Sequence, residues 1–513
     1  MMVVMAVVVV AVIGALASGF WHSGRGQASP TPPRSTSTPL STFVPSPGRT
    51  WTAIENDKPG TSSWLLDVDG AHVSKNGEIE GYAGAVSAQA GEQVTLYVST
   101  AAPKWSVSAY RVGYYGGKQG RLIWSSPDEP GLKQPAATRD FATNMVETTW
   151  SASLQVTIGA DWPPGDYLLK LLSSTHAASW IPLTVRDDAS HAPILINNSV
   201  TTWQAYNLWG GSDLYAGSKG RSDVVSFDRP YELGNGSGDF LGNEQRFVQL
   251  VEKAGYDVSY TTNVDIHEHP ELLLRHRVLV SLGHDEYWST AMRDGVTAAR
   301  DRGVNLLFLG ANAVYRHIRL EPSPLGPDRH EVNYRVAAND PLSGIDNAEV
   351  TVQWRDPPVS KPENQLLGEM YECNPVNADF VVTDPSSWVF AGTGLTQGTR
   401  LRGLVGSEYD HWNPAAGGPP AEDLARSPVV CRGRFSTSDF TYYNAPSLAG
   451  VIDTGTNLWV PKTMENTTEG AAVDQVTTNL LNAAQMGPLG KSHPAQVAPG
   501  STLDTAAPPP TGE

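Results

Sequence analysis

Three polar clusters in this 513-residue sequence follow directly on apolar runs, and they carry the residue types best suited to chemistry. They are TTWQAYNLWGGSDLY (201–215) after PILINN, HDEYW (284–288) after VLVSLG, and ANAVYRH (311–317) after NLLFLG. Ionisable groups placed straight after a buried strand are costly to desolvate unless hydrogen-bonded or functional, which singles out His284, Asp285, Glu286, Tyr287 and Asn312. Such a set suits hydrolysis by an activated water, with His284, Asp285 or Glu286 moving the proton and Asn312 steadying an oxyanion. A covalent route is disfavoured. There is no Gly-x-Ser-x-Gly elbow, no His-Glu-x-x-His helix and no phosphate loop, and no cysteine stands at the VLVSLG–HDEYW junction, where glutaminases of flavodoxin-like topology place their nucleophile. Plainer roles compete: Asp285 and Glu286 can cap a helix starting near Ser289, and Trp203, Tyr206 and Trp209 can be core or groove aromatics. His267 and His269 form a His-x-His pair ahead of Pro270 and read as exposed loop histidines, as do the lone His330 and His411.

The elements that must position these groups fall into two patterns. From about 64 to 186 short period-two strands dominate, VTLYVST, SLQVTIG and YLLKLLSS, separated by the turn sequences YYGGKQG and DWPPGD. This predicts an immunoglobulin-like β-sandwich. After Asp188 the apolar runs PILINN, HRVLVSLG and VNLLFLG read as strands buried on both faces, alternating with amphipathic helices at 244–255 and 290–303. That is the logic of a mostly parallel sheet with helices on both faces, whose ligands sit beyond the carboxyl ends of the strands. Strand-like pieces VTVQW, DFVVT, RLRGLVG, GVIDTG and NLWV extend the sheet, and a helix near 470–485 closes it.

Lys plus Arg number 36 against 53 Asp plus Glu, a net charge of −17, which argues against a nucleic-acid partner or binding to an anionic membrane surface. Residues 1–25 read as a signal peptide or retained N-terminal membrane anchor, 26–50 as a Pro/Ser/Thr-rich linker and 488–513 as a disordered tail, leaving 51–188 for the sandwich and 189–487 for the α/β domain. The chain is therefore expected to be exported, secreted or anchored on the outer face of the membrane. Cys373 and Cys431, the two cysteines, are expected to form one disulfide in that compartment, with two buried thiols as the alternative.

At TWQAYN-x-WGG-x-x-LY, YDVSYTTNVDIH, GHDEYWS (283–289) and GANAVY (310–315) the chain resembles the C-terminal domain of the large subunit of N,N-dimethylformamidase and its secreted relatives, over about residues 190–480. The resemblance implies a glutamine-amidotransferase-like α/β fold that hydrolyses an amide with a mononuclear iron held by two Tyr and one Glu. Carried onto this sequence, those ligands are Tyr287, Tyr206 and Glu349, the last in AEVTVQWR. Phenolate and carboxylate are hard oxygen donors that suit ferric iron. The substrate is then a small-molecule or cell-wall-derived amide. A second reading is a non-catalytic surface protein that stacks envelope polysaccharide on Trp203, Trp209, Trp288 and Trp412. A third, a glycosidase using Asp285 and Glu286, is weaker, because neighbours on one strand seldom face each other across a bond.

Overall fold

Alternation along Gln93–Thr100 sets the style of the N-terminal part: Val94, Leu96 and Val98 are buried while Thr95 and Tyr97 are half-buried. That strand is the centre of a three-stranded sheet between Leu154–Thr157 and Ile79–Ala83. A larger sheet is built mainly from Lys104–Val112, Gly165–Ser173 and Ala177–Arg186. The two sheets share one apolar core, in which Ile79, Val94 and Leu96 meet Val107, Leu169, Leu171 and Ile181. The computed structural model describes Phe43 and residues 46–497, so residues 1–25, most of 26–50 and 498–513 lie outside the described residues, while 488–497, expected as disordered tail, start with a 3₁₀ turn in which Leu489 is buried. Among the described residues no helix is long and apolar enough to cross a membrane.

The second part is a seven-stranded sheet. Its strands in chain order are β1 (Ile194–Asn198), β2 (Val258–Thr262), β3 (Val278–Gly283), β4 (Asn305–Gly310), β5 (Glu422–Cys431), β6 (Arg434–Asn444) and β7 (Gly450–Asp453). The spatial order is β2-β1-β3-β4-β7-β6-β5. The pairs from β2 through β7 are parallel, and β6 and β5 add an antiparallel edge. Both faces are covered. Ile194, Val280 and Leu307 pack against α1 (Gln245–Ala254) and α3 (Thr468–Ala484), while Leu195, Leu279 and Leu306 pack against α2 (Thr290–Arg300). The chain runs from β1 outward to β2 and then crosses back to β3, so the strand order reverses between β1 and β3 and their carboxyl ends diverge.

PILINN, VLVSLG, NLLFLG and GVIDTG and the helices at 244–255, 290–303 and 470–485 match to within a few residues, with three corrections. DFVVT and RLRGLVG do not extend the sheet but pair with each other in a separate hairpin, Met370–Val381 with Arg400–His411. VTVQW at 350–354 is irregular, carrying one isolated bridge from Gln353 to Arg316, and the end of NLWV is the helix Trp459–Lys462. Residues 51–56, grouped with the sandwich by sequence, form a short helix docked on the other part: Thr50 Oγ1 donates to Gly255 O at 2.7 Å and Trp51 Nε1 to Val258 O at 3.2 Å. Beside it Arg111, fully buried, donates to both oxygens of Glu252, which is buried too. The cysteines are bonded, closing a 58-residue separation between a long hairpin (Met370–Val381 with Arg400–His411) and β5.

Candidate active site

Two glycines let the strand ends open. Gly283 ends β3 at φ +57, and a Cβ there would lie 2.6 Å from Asn243 O; a Cβ on Gly310, at the end of β4, would lie 2.1 Å from Gly283 O. The close approach of these two backbones needs both positions bare. His284 and Asn312 follow at once, Asn312 itself in the left-handed region (φ +60). From β1, the short helix Val200–Ala205 brings in Thr202, whose Oγ1 accepts from Glu286 N at 2.9 Å, while Arg316 N donates to Glu286 O at 2.9 Å. The Glu286 backbone is thus clamped from both sides.

Its side chain is where the three polar clusters meet. Tyr206 Oη donates to Glu286 Oε2 and Tyr215 Oη to Oε1, each at 2.6 Å, and the two phenol rings stack with centroids 4.4 Å apart. His284 Nε2 lies 3.4 Å from Glu286 Oε2 and 3.2 Å from Glu408 Oε2. Glu408 also accepts from Asn312 Nδ2 at 2.9 Å and from Asn374 Nδ2 at 2.6 Å. Asn312 N donates to Asp410 Oδ1 at 2.7 Å, and Asn312 Oδ1, buried, has no partner.

The charges follow from this packing. Burial disfavours a charged His284, yet the carboxylates of Glu408 and Glu286 outweigh it and hold the imidazolium well above its ordinary range. Burial pushes Glu286 up, but His284, Arg316 and the Tyr206 hydroxyl together carry it below the usual carboxylate value. Burial first, and the Glu286 carboxylate second, raise Tyr206 and Tyr215, so both phenols keep their protons unless a cation replaces them. The centre is therefore an imidazolium between two carboxylates, beside a pair of phenols sharing one of them.

The family model for the N,N-dimethylformamidase beta subunit-like C-terminal region matches residues 106–469. The chain belongs to this family. The match starts inside the strand Lys104–Val112, so the family's module includes much of the sandwich as well as the α/β sheet, a wider span than the sequence motifs indicated. No curated protein sequence matches the chain.

Within this dimethylformamidase-like chain the donor set at Glu286 fits a hard cation: four oxygens, one each from Tyr206 and Tyr215 and two from Glu286, already converge through 2.6 Å contacts. Of the ligands carried over by motif, Tyr206 is in this set, while Tyr287 and Glu349 make no hydrogen bond to the Glu286 carboxylate. Tyr287 is fully buried in an apolar cluster with Ala205, Leu214, Val225 and Ile318, edge-on to both phenol rings, and its hydroxyl accepts from Arg335 at 3.3 Å. Glu286 lies just before the strand Tyr287–Ser289, and Tyr287, which opens that strand, meets the phenol pair with its ring edge while its hydroxyl is held by Arg335. Glu349 ends a 3₁₀ turn whose backbone carbonyl is held by Arg319, and its side chain lines a separate hollow of about 320 Å³ with His267, Ser289 and Glu321. Asp285, expected to move protons, is sealed: its oxygens accept from Asn197, Asn263, Ser281 and Trp288 at 2.8 to 3.0 Å. Asn312 commits its amide nitrogen to Glu408 and so presents an acceptor, rather than the oxyanion donor expected.

Sequence reasoning missed Tyr215, Glu408, Asn374 and Arg316. Tyr215 was visible as the last residue of the WGG-x-x-LY motif; Glu408 and Asn374 come from the long hairpin and carry no local signal. His267 lies on a helix, Asn263–Glu268, begun by a Thr262–Asp265 capping box, and its Nδ1 is 2.7 Å from Ser289 Oγ. His411 pairs with Asp439 at 2.8 Å. His330 pairs with Glu147 at 2.9 Å, and these two with Asp228 place ligand atoms within 4.8 Å of one another, a second group able to hold a metal ion. There, however, Arg329 already matches Asp228 at 2.8 Å. Trp203, Trp288 and Trp412 are buried, so they offer no face to a sugar ring; Trp209 is half-buried with its Nε1 bound to Glu80.

Proposed function

We propose that this protein hydrolyses an amide C–N bond at the Tyr206–Tyr215–Glu286 centre, that iron is the ion those oxygens hold, and that the surrounding sheet is an amidotransferase-like fold behind an immunoglobulin-like sandwich. Family membership supports a dimethylformamidase-like hydrolase. The observation that carries the reading is the convergence of two phenols on one carboxylate next to a carboxylate-bound imidazolium. When bound, the ion supplies Lewis acidity toward an amide carbonyl.

The chain's own residues do the rest. Water adds to the carbonyl carbon and gives up a proton to the Glu408–His284 pair. His284, kept charged by its two carboxylates, then delivers a proton to the amine nitrogen as the C–N bond breaks. Glu408 is held for this by Asn312 and Asn374. Asn312 Oδ1, unpartnered, is placed to accept an N–H from substrate. The substrate is a short or wall-derived amide, and the leader at 1–25 sends the protein outside the cell. A polysaccharide-binding role loses its platform with the burial of Trp203, Trp288 and Trp412.

The test is amine release from formamide, N-methylformamide and N-formylglycine by the iron-loaded full chain. Turnover that falls at least a hundredfold in His284→Gln supports the reading, that being the usual scale for losing a general acid. No amine from any of the three at stoichiometric iron overturns it.

A further inference from the structure

Several arginines in this fold are matched by carboxylates. Arg111 grips Glu252, Arg329 holds Asp228, Arg319 holds Asp340 and Arg355 holds Glu363. Arg229, without a carboxylate in reach, donates to the carbonyls of Asn207, Trp209 and Ser212. Arg335 departs from this pattern. Among the described residues it forms no ion pair; its one side-chain hydrogen bond goes to Tyr287 Oη at 3.3 Å, and its Nε is buried without a partner. Its guanidinium lies over the ring of Tyr215, 4.0 Å from the centroid, and that ring is 38% exposed. The backbone at Arg335 is in the left-handed region (φ +64), a conformation a non-glycine residue keeps only when its surroundings impose it, here with its N–H pinned to Thr351 O.

Arg316 adds to this. It is almost wholly buried, stacks on Tyr315 at 4.6 Å, and its nearest carboxylate is Glu286 at 3.5 Å, which it shares with two phenols and His284. Two guanidiniums thus stand beside the phenol pair in a protein whose net charge is −17. A guanidinium with no carboxylate partner keeps a planar fork of donors, which matches a carboxylate bidentately.

Resting on the proposed hydrolysis, we infer that Arg335 anchors a carboxylate on the substrate, so that the protein acts on anionic amides of the N-acyl amino acid class in preference to neutral ones. Tyr215 links the two ends of such a substrate: its hydroxyl meets Glu286 and its ring carries Arg335, so the carboxylate sits about one phenol ring away from the reacting carbonyl. A substrate with a single carbon between amide nitrogen and carboxylate spans that gap.

The experiment compares N-formylglycine with N-methylformamide on the iron-loaded full chain, wild type and Arg335→Gln. The expected result is a higher kcat/KM for N-formylglycine in the wild type and a drop of at least tenfold in the ratio of the two kcat/KM values in the variant, carried by KM. A parallel drop for both amides, or a changed iron absorption band in Arg335→Gln, means that Arg335 acts through the phenols and overturns the proposal. Equilibrium binding of N-formylglycine is measured alongside. If neither amide is cleaved the hydrolase reading fails by itself, whereas binding that is equal in wild type and variant overturns the anchor. Arg335→Lys, which keeps the charge and loses the fork, is expected to recover only part of the binding.

Discussion

Arg111 and Arg335 show how differently one molecule treats the same side chain. Arg111, between the sandwich and the sheet, gives its donors to both oxygens of Glu252, to Pro164 O and to Tyr115 Oη, and nothing about it reaches solvent. Arg335 has one weak bond and an exposed aromatic neighbour. A charged group whose capacity is exhausted within the protein holds the fold; one left with spare donors is available to something else. The same contrast separates neighbours in sequence, since Asp285 accepts four hydrogen bonds from core residues while Glu286 faces two phenols and a histidine.

The comparison breaks most visibly at the interface. Arg111→Met strands the buried Glu252 and is expected to cost about 3–5 kcal/mol, read as a lowered urea midpoint, whereas Arg335→Gln stays within about 0.5 kcal/mol of wild type. Losing the disulfide comes next. Closing 58 residues contributes about 4 kcal/mol in the chain-entropy picture, so Cys431→Ser is expected to melt earlier than wild type, and reduction of the wild type to reproduce the shift. Asp285→Asn turns an acceptor into a donor among four donors and is expected to cost about 1–3 kcal/mol while iron binding persists. Glu286→Gln is expected to abolish iron binding and also to lower the melting point, because it takes from the buried Arg316 its nearest carboxylate.

A smaller effect concerns pH. Burial, with Glu363 and Glu408 nearby, pushes Asp410 up to about 8, against the pull of its bond from Asn312 N and of Arg355. The folded chain then binds a proton that the unfolded chain has released above the ordinary carboxylate range. Stability from this group is complete at low pH and drains away as pH climbs from about 4 through 8. Asp410→Asn keeps the acceptor for Asn312 and removes the titration, so its melting point is expected to gain on wild type between pH 5 and pH 8.5. A constant difference across that range contradicts the assignment.

What could be read from the sequence was whatever burial writes locally. PILINN, VLVSLG and NLLFLG are buried on both faces and announced a parallel sheet, and polar clusters straight after them marked the place where the strand order reverses. The choice among neighbours was not legible. The sequence singles out Tyr287 and passes over Tyr215 because it does not record which phenol reaches the Glu286 carboxylate. Glu408 and Asn374 reach His284 only through a long-range hairpin, whose register no local pattern encodes. The capping box at Thr262 was hidden by Pro270, which suggested a loop where a helix forms.

The identity of the phenols that hold the ion is the sharpest point of decision. Iron content and the tyrosinate-to-iron absorption band should be measured for wild type, Tyr215→Phe and Tyr287→Phe, each reconstituted with ferric iron. The Tyr206–Tyr215–Glu286 centre requires the band to weaken or vanish in Tyr215→Phe and to survive in Tyr287→Phe. A band that persists without Tyr215, or is lost with Tyr287, contradicts it.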